Sequence, residues 1–339
     1  MIANGAKVYN SFDEELMQNW EVLYSKGGIY NLSPEWCKIW VETFEKEKSL
    51  YIYTFWENKV LKVVAPLYLK GNRLSLIGTK PDIYDEFNVL YENPKYLDKF
   101  VDFLAAEPYD LNFKHLNSSS DFAKKLVKKF SSVGIPTVSQ VTETKNRICE
   151  KINQESSIRS DIKRCEKNLL KDLNEEYVFE FSPVKKQEFI DEFIKFHIDR
   201  WNGGMMVKKK NLAKFTEKIY FGDKNMSLAR LYMKNSGETV AYCYGYVDSK
   251  NEYWLSMTAH DAKFRKYAGG KVILLKLIDY LKERGISKFD FGRGAENYKS
   301  EFSDYEDVLF NFFTYKTTRK YIKVRNFIDK VLKLVYNAR

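Results

Sequence analysis

The sequence predicts an α/β protein of two related halves, each with a mixed, mainly antiparallel sheet. Three observations carry this expectation. Helix-like and strand-like apolar patterns alternate through both halves. Short polar turns separate successive strands, as hairpins require. The chain has 339 residues, 44% of them hydrophobic, enough core for about two domains of ~150 residues each.

In the first half, 12–24 and 34–44 read as helices, the second opened by Ser33 as N-cap with Pro34 at its first position. Residues 50–56 and 60–69 form a hairpin about Glu57-Asn58-Lys59, followed by a short strand over 73–77. A polar cluster from Gly78 to Asp85 breaks the pattern and must be a loop. Helix, strand and helix follow over 96–106, 111–116 and 121–130. A charged helix over 152–173 places Arg159, Lys163, Arg164 and Lys167 on one face, either solvated or lining a phosphate cleft.

Beyond it, 177–181 is strand-like and 186–201 helical. Three strands at 227–234, 239–248 and 252–259 are joined by the turns Asn235-Ser236-Gly237-Glu238 and Ser249-Lys250-Asn251, so they pair antiparallel. A glycine loop, an apolar helix over 271–284, a Gly285 stop and a strand over 288–292 complete the pattern.

Residues 1–150 carry 19 Lys and Arg against 20 Asp and Glu, whereas 151–339 carry 37 against 26. The basic excess therefore sits in the second half, where a phosphate-bearing ligand, a nucleic acid or an anionic membrane would be drawn. Cys37, Cys149, Cys165 and Cys243 are too widely spaced for a zinc site or a disulfide framework, and no metal is expected. The longest apolar runs fall short of the ~18–20 residues of a membrane span, and the N-terminus lacks a signal pattern, so a cytoplasmic protein is expected.

The chemistry concentrates in two segments. In Tyr267-Ala268-Gly269-Gly270-Lys271, two glycines at a helix start let backbone N–H groups approach a ligand, and the helix dipole adds positive charge at the same point. Lys263, Arg265, Lys266 and Lys271 surround the loop, which suits a pyrophosphate, although neither a Walker loop nor GxGxxG is present. In Asp290-Phe291-Gly292-Arg293-Gly294-Ala295-Glu296-Asn297-Tyr298-Lys299, an apolar strand ends in glycines and functional groups, where α/β folds place ligands.

These segments, in this order, resemble the GNAT acyltransferase superfamily, and within it the CelD/BcsL type linked to polysaccharide (cellulose) biosynthesis. The likeness is carried by YAGGKVILLKLIDYLKERGISKFDFGRGAENYKSEF, similar to a family pattern of Tyr-Ser-Pro-Gly, aliphatic helix, Gly, and Asp-Phe-Gly-x-Gly-x-x-x-Tyr-Lys. Ala268-Gly269 replaces the usual Ser-Pro while Gly270 is kept. His197-Ile198-Asp199-Arg200-Trp201 resembles a His-x-x-Arg-Trp helix end, and 78–85 resembles a Gly-…-Asp-Tyr-x-Asp loop. FemAB-type transferases of peptidoglycan synthesis share the two-domain arrangement.

The resemblance implies tandem GNAT-like domains: an acceptor-side domain over 1–150, an interdomain helix over 151–175, an acyl-CoA-binding domain over 176–317 and a basic C-terminal helix over 318–339. It implies acetyl-CoA or another acyl-CoA as co-substrate, held at Ala268, Gly269, Gly270 and Lys271, with backbone N–H groups near Met257 and Thr258 for the thioester carbonyl. Acyl transfer needs an acid for the departing thiolate and a base for the acceptor. Tyr298 is the candidate acid, and Asp290, Glu296 and His260 are candidate bases. With only His115, His197 and His260 available, no Ser–His–Asp or Cys–His arrangement supports an acyl-enzyme. Arg200 and Trp201 could clamp and stack an acceptor sugar, Asp82, Tyr84 and Asp85 could reach it from the first domain, and Lys299 adds a cation.

The reading is N- or O-acyl transfer to a sugar of a cell-surface polysaccharide precursor or a nucleotide-linked sugar. The alternatives are a FemAB-like transferase using aminoacyl-tRNA and a non-catalytic nucleic-acid or membrane adaptor with a GNAT-derived fold; under the first reading no nucleic-acid partner is expected. In 318–339, Val324, Phe327, Ile328, Val331, Leu332 and Val335 form an apolar stripe flanked by cations, which would either pack on the domain or touch the inner face of a membrane.

Overall fold

The computed structural model describes residues 5–45, 49–81, 85–135, 137–149, 156–182, 184–200, 204–209, 211–294 and 296–316. The first half runs β1 (Gly5–Tyr9), α1 (Glu14–Tyr24), α2 (Pro34–Phe44), β2 (Leu50–Glu57), β3 (Val60–Lys70), β4 (Arg73–Leu76), β5 (Leu90–Tyr91), α3 (Pro94–Ala106), β6 (Asp110–Asn117), α4 (Asp121–Ser132) and β7 (Thr137–Cys149). The second runs α5 (Ser156–Leu173), β8 (Tyr177–Phe181), α6 (Gln187–Arg200), α7 (Gly204–Lys208), α8 (Leu212–Gly222), β9 (Met226–Met233), β10 (Thr239–Val247), β11 (Glu252–His260), α9 (Gly269–Glu283), β12 (Lys288–Arg293), α10 (Asn297–Phe302) and β13 (Tyr305–Thr314).

Local chemistry explains the clearer boundaries. Ser33 accepts a hydrogen bond from the Trp36 amide at 3.1 Å and Pro34 supplies the fixed φ of the first turn, so α2 starts there. The β2–β3 hairpin turns on Asn58 and Lys59, both left-handed, which matches the twist of the flanking strands. Sequence patterning did not anticipate β1, β7, α8, α10 or β13. The charged face of α5 is partly spent within the protein: Arg159 pairs with Asp279 of α9 at 2.7 Å, and Arg164 with Asp161 at 3.0 Å.

The strands form one sheet in the order β1-β2-β3-β4-β6-β13-β7-β12-β11-β10-β9-β8, with β5 added on β3. Read from either end, the order is the same pattern: three antiparallel pairings, then a parallel one, β4 with β6 and β11 with β12. The expected fold class, two like α/β halves with mixed and mainly antiparallel pairing, is therefore the one observed. At the centre the halves exchange their last strands. β13 pairs with β6 of the first half, β7 pairs with β12 of the second, and the two pair with each other. The halves are thereby stitched by backbone hydrogen bonds as well as by side-chain packing.

Two apolar clusters flank the sheet. One joins α1, α2, α6 and α8 to the strands of both halves; the other packs α9 and α5 on the second half. α2 packs on α8 across the halves, with Trp36 edge-on to Phe215 at 5.6 Å. Among the described residues no helix is long and apolar enough to cross a membrane. The C-terminal segment 318–339, expected as a basic helix, lies outside the described residues.

Candidate functional site

β11 and β12 pair in parallel over three rungs only, Glu252–Lys288, Tyr253–Phe289 and Trp254–Asp290. Beyond Trp254, β11 continues to His260 and β12 to Arg293 without pairing to each other. A bulge at Ser256, left out of the register between β10 and β11, bends β11 where the two strands part. The backbone at Met257 and Thr258 thus lies in a splayed segment.

A pocket of about 350 Å³ opens there. Its walls are Arg200 at the end of α6, Thr258 and His260 of β11, the turn Ala268-Gly269-Gly270-Lys271 opening α9, and Tyr298 of α10. Eight of the residues singled out in the sequence therefore meet in one cavity. Arg265 and Leu274 complete it. Arg265 was legible as one of the cations about the loop; Leu274 carried no signal beyond its apolar stripe.

α9 begins without a side-chain cap, on Ala268 in the left-handed region at φ 52°. The first N–H groups of a helix have no partner inside it, so this turn presents donors and the positive end of the helix dipole to the pocket. The two glycines have different reasons. A Cβ on Gly269 would lie 2.7 Å from Val240 Cγ1, so that glycine serves close packing on β10. A Cβ on Gly270 would meet only His260 Nδ1, at 3.7 Å, so that glycine keeps the pocket open.

Arg200 donates to Thr258 Oγ1 at 3.0 Å, fixing a half-buried guanidinium beside the splayed strand. Burial, then the cations Arg200 and Arg265, pushes the His260 imidazole down to about 4, and its buried Nδ1 has no hydrogen-bond partner among the described residues. Burial and the nearby Glu296 charge hold the Tyr298 phenol above its ordinary range, so it keeps its proton at neutral pH. Tyr298 and Thr258 line the same pocket. Lys271 is paired with Glu301 at 2.6 Å.

The remaining candidates lie elsewhere. Asp290 is fully buried, accepts from the Gly292 amide at 2.7 Å and does not line the pocket. Asp85 does cross from the first half, but to β12: its Oδ1 accepts from the Arg293 amide at 2.9 Å and Nε at 3.2 Å. The same arginine contacts His115 Nε2 at 2.8 Å. The loop at 78–85 and the segment after Asp290 thus meet, as a clasp between the halves. Glu296 is exposed and pairs with Lys299 at 3.1 Å, while Lys299 is buried and also donates to the Arg293 carbonyl. Met257 turns its side chain into the core shared by the halves. Asp82, Tyr84 and Trp201 lie outside the described residues. Among the described residues no cluster of His, Cys, Asp and Glu could hold a metal ion.

Residues 156–300 match the family model of the acetyltransferase (GNAT) domain. No curated protein sequence matches the chain. Among solved structures, FemX aligns with a TM-score of 0.62 at 12% identity, over 88% of this chain and 95% of its own. L-PGS from Bacillus licheniformis aligns at 0.59 and 14%, over 92% and 94%. A conserved protein of unknown function from Bacteroides thetaiotaomicron aligns at 0.55 and 10%, over 91% and 98%. These likenesses run across both halves and establish a shared fold. The matched residues enclose the pocket, and the second half of this chain has the GNAT fold.

Proposed function

We propose that the protein transfers an acyl group from acyl-CoA, with acetyl-CoA the first candidate, to a hydroxyl or amine on a sugar of a cell-surface glycan precursor, in the manner of the CelD/BcsL type. The observation that carries the donor is the uncapped start of α9 beside Gly270, with Arg200, Arg265 and Lys271 around it. Orphan N–H groups, a helix dipole and several cations in one cavity suit a pyrophosphate. The sugar acceptor rests on the resemblance of 78–85, 197–201 and 290–299 to that type.

When bound, acyl-CoA supplies an acyl group activated as a thioester. The chain's residues divide the work by position. His260 is the one candidate base that faces the cavity, and its neutral imidazole takes the proton of the attacking hydroxyl or amine. Backbone N–H at Met257 and Thr258, on the splayed strand, meets the charge that develops on the carbonyl oxygen. Tyr298, protonated and facing the same cavity, gives its proton to the sulfur as the C–S bond breaks. Arg200 holds Thr258 and adds positive charge beside both.

A second reading, a FemAB-like transfer from aminoacyl-tRNA, draws on the basic second half and on the likeness to FemX across both halves. Titrating the full chain with acetyl-CoA and, separately, with charged tRNA separates them. Saturable acetyl-CoA binding without a tRNA effect is expected; tRNA binding with no response to acetyl-CoA would replace the first reading by the second.

A further inference from the structure

We propose that the first half carries a second small-molecule site, for a phosphorylated sugar, in the pocket at the start of β4 and β6. This pocket, of about 260 Å³, shares no residue with the cavity at α9 and stands on its own geometry.

Its floor is polar and buried. Tyr68 of β3, Ser75 of β4, and Asp110 and Asn112 of β6 all line it, and each is less than 9% exposed. Asn112 Nδ2 donates to Ser75 Oγ at 3.0 Å, and Tyr68 lines the pocket beside them. Asp110 Oδ1 accepts from the Lys316 amide at 2.5 Å. Hydroxyls, an amide and a carboxylate on one wall can both donate to and accept from a ligand with several hydroxyl groups. An apolar ligand would instead strip water from these groups without replacing it.

The rim is cationic. Lys70, Arg73 and Lys80 stand exposed around the mouth. Lys70 is paired with Glu45 at 2.9 Å, whereas Arg73 and Lys80 make no ion pair among the described residues. Two uncommitted cations over a hydroxyl-matching floor specify an anionic group attached to a polyol, and a phosphate is the group that arginine recognises best.

The fold does not force this cavity. Ser75–Asn112 is the third rung of the parallel ladder in the first half, and Trp254–Asp290 is the third rung in the second. There the indole of Trp254 is buried and donates to Asp248 at 2.8 Å, Lys288 lies 5.3 Å from the ring centre, and Lys288 pairs with Glu252 at 3.6 Å. Ring and charges are closed on one another. In the first half a serine leaves the space open, and Arg73 and Lys80 at its rim make no ion pair among the described residues. Because β6 and β12 run in opposite directions, β4 and β6 begin at the sheet edge where β11 ends. The two cavities thus open on one edge, four strand spacings or roughly 20 Å apart.

Calorimetric titration of the full chain with glucose 1-phosphate and N-acetylglucosamine 1-phosphate, against glucose and inorganic phosphate, tests the proposal. At least one sugar phosphate should bind about 10-fold or more tighter than inorganic phosphate or glucose, since both halves of the site are then used. The double variant Arg73→Glu, Lys80→Glu, changed only at exposed side chains, should abolish that binding with its melting temperature unchanged. Ser75→Trp, which fills the cavity, should do the same if it folds. Gly270→Asp, at the other cavity, should leave it intact. Failure of both sugar phosphates to bind, equal binding of inorganic phosphate, survival of binding in the double variant, or its loss in Gly270→Asp would each overturn the assignment.

Discussion

α3 and α9 occupy corresponding places in the two halves, each between the fourth strand of the antiparallel run, β4 or β11, and its parallel neighbour, β6 or β12, yet their N-termini are finished in opposite ways. At α3, Asn93 caps the helix by accepting from the Lys95 amide at 3.0 Å, and Pro94 has no N–H to offer. At α9, no side chain caps the turn and two glycines follow the left-handed Ala268. The gaps beside the two helices differ likewise. Between β4 and β6, the Phe87 amide donates to the His115 carbonyl at 3.0 Å and Phe87 bridges Leu116, so a strand-like segment zips the opening. Between β11 and β12 the gap is left to the cavity. One fold therefore yields a sealed helix start in one half and an anion-receptive one in the other, and the difference lies in a handful of local residues.

The comparison is most exposed to failure at Gly270. Gly270→Asp puts a carboxylate at the helix start while meeting only His260, so acetyl-CoA affinity should fall by about 100-fold, the order expected when a charge-assisted contact is replaced by repulsion. Unchanged affinity in a calorimetric titration would mean that the open helix start does not hold the donor. Tyr298→Phe sharpens the chemical side. It should lower kcat by about 10- to 1000-fold with donor affinity nearly intact, the usual range for a general acid. Full turnover in that variant, with chemistry limiting, would move the acid role to another group.

Gly269→Ala separates packing from binding. Its methyl would press on Val240 and cost about 1–3 kcal/mol of stability, seen as a lower denaturation midpoint, whereas the donor site should survive. A smaller effect concerns pH. The folded His260 binds its proton near 4, against 6.5 when unfolded, so the unfolded chain takes up more protons in that window and stability contributed at this site falls as pH drops from about 6.5 to 4. His197, buried and also pushed down to about 4, acts in the same direction; Glu86, Asp223 and Asp248, raised to about 7, 6 and 6, act in the opposite one. Comparing thermal melts of the native chain and His260→Gln at pH 7 and pH 5 isolates the His260 part. The native chain should lose more stability than the variant, and parallel losses would show that His260 is solvated in the folded protein.

Much of the second half was legible because its signals are local. The α9 loop, the strand before it and Tyr298 lie within 50 residues of one another, and periodicity and glycine placement mark them directly. β7 was missed for a matching reason. Residues 137–149, with their alternating Thr, Ser, Gln, Glu and Lys, lack the apolar bias that separates a strand from a loop, although they sit at the centre of the sheet.

By itself, the sequence determined most of the helices and hairpins, the two like halves and the convergence of cationic and glycine residues at the start of one helix, since these depend on neighbours within a few turns or a hairpin. Tertiary structure alone decided the rest. The exchange of β7 and β13 sets partners more than 150 residues apart, as in Tyr305 against Ile148 and Thr314 against Thr137. It withdrew Asp290 into the core, spent Asp85 on Arg293 and brought Arg200 to Thr258. It also told apart Gly269 and Gly270, which are neighbours in the chain but face β10 and the cavity. Strand partners are chosen by competition among all available edges, and a side chain's surroundings follow from that choice, so neither is written in the local order of residues.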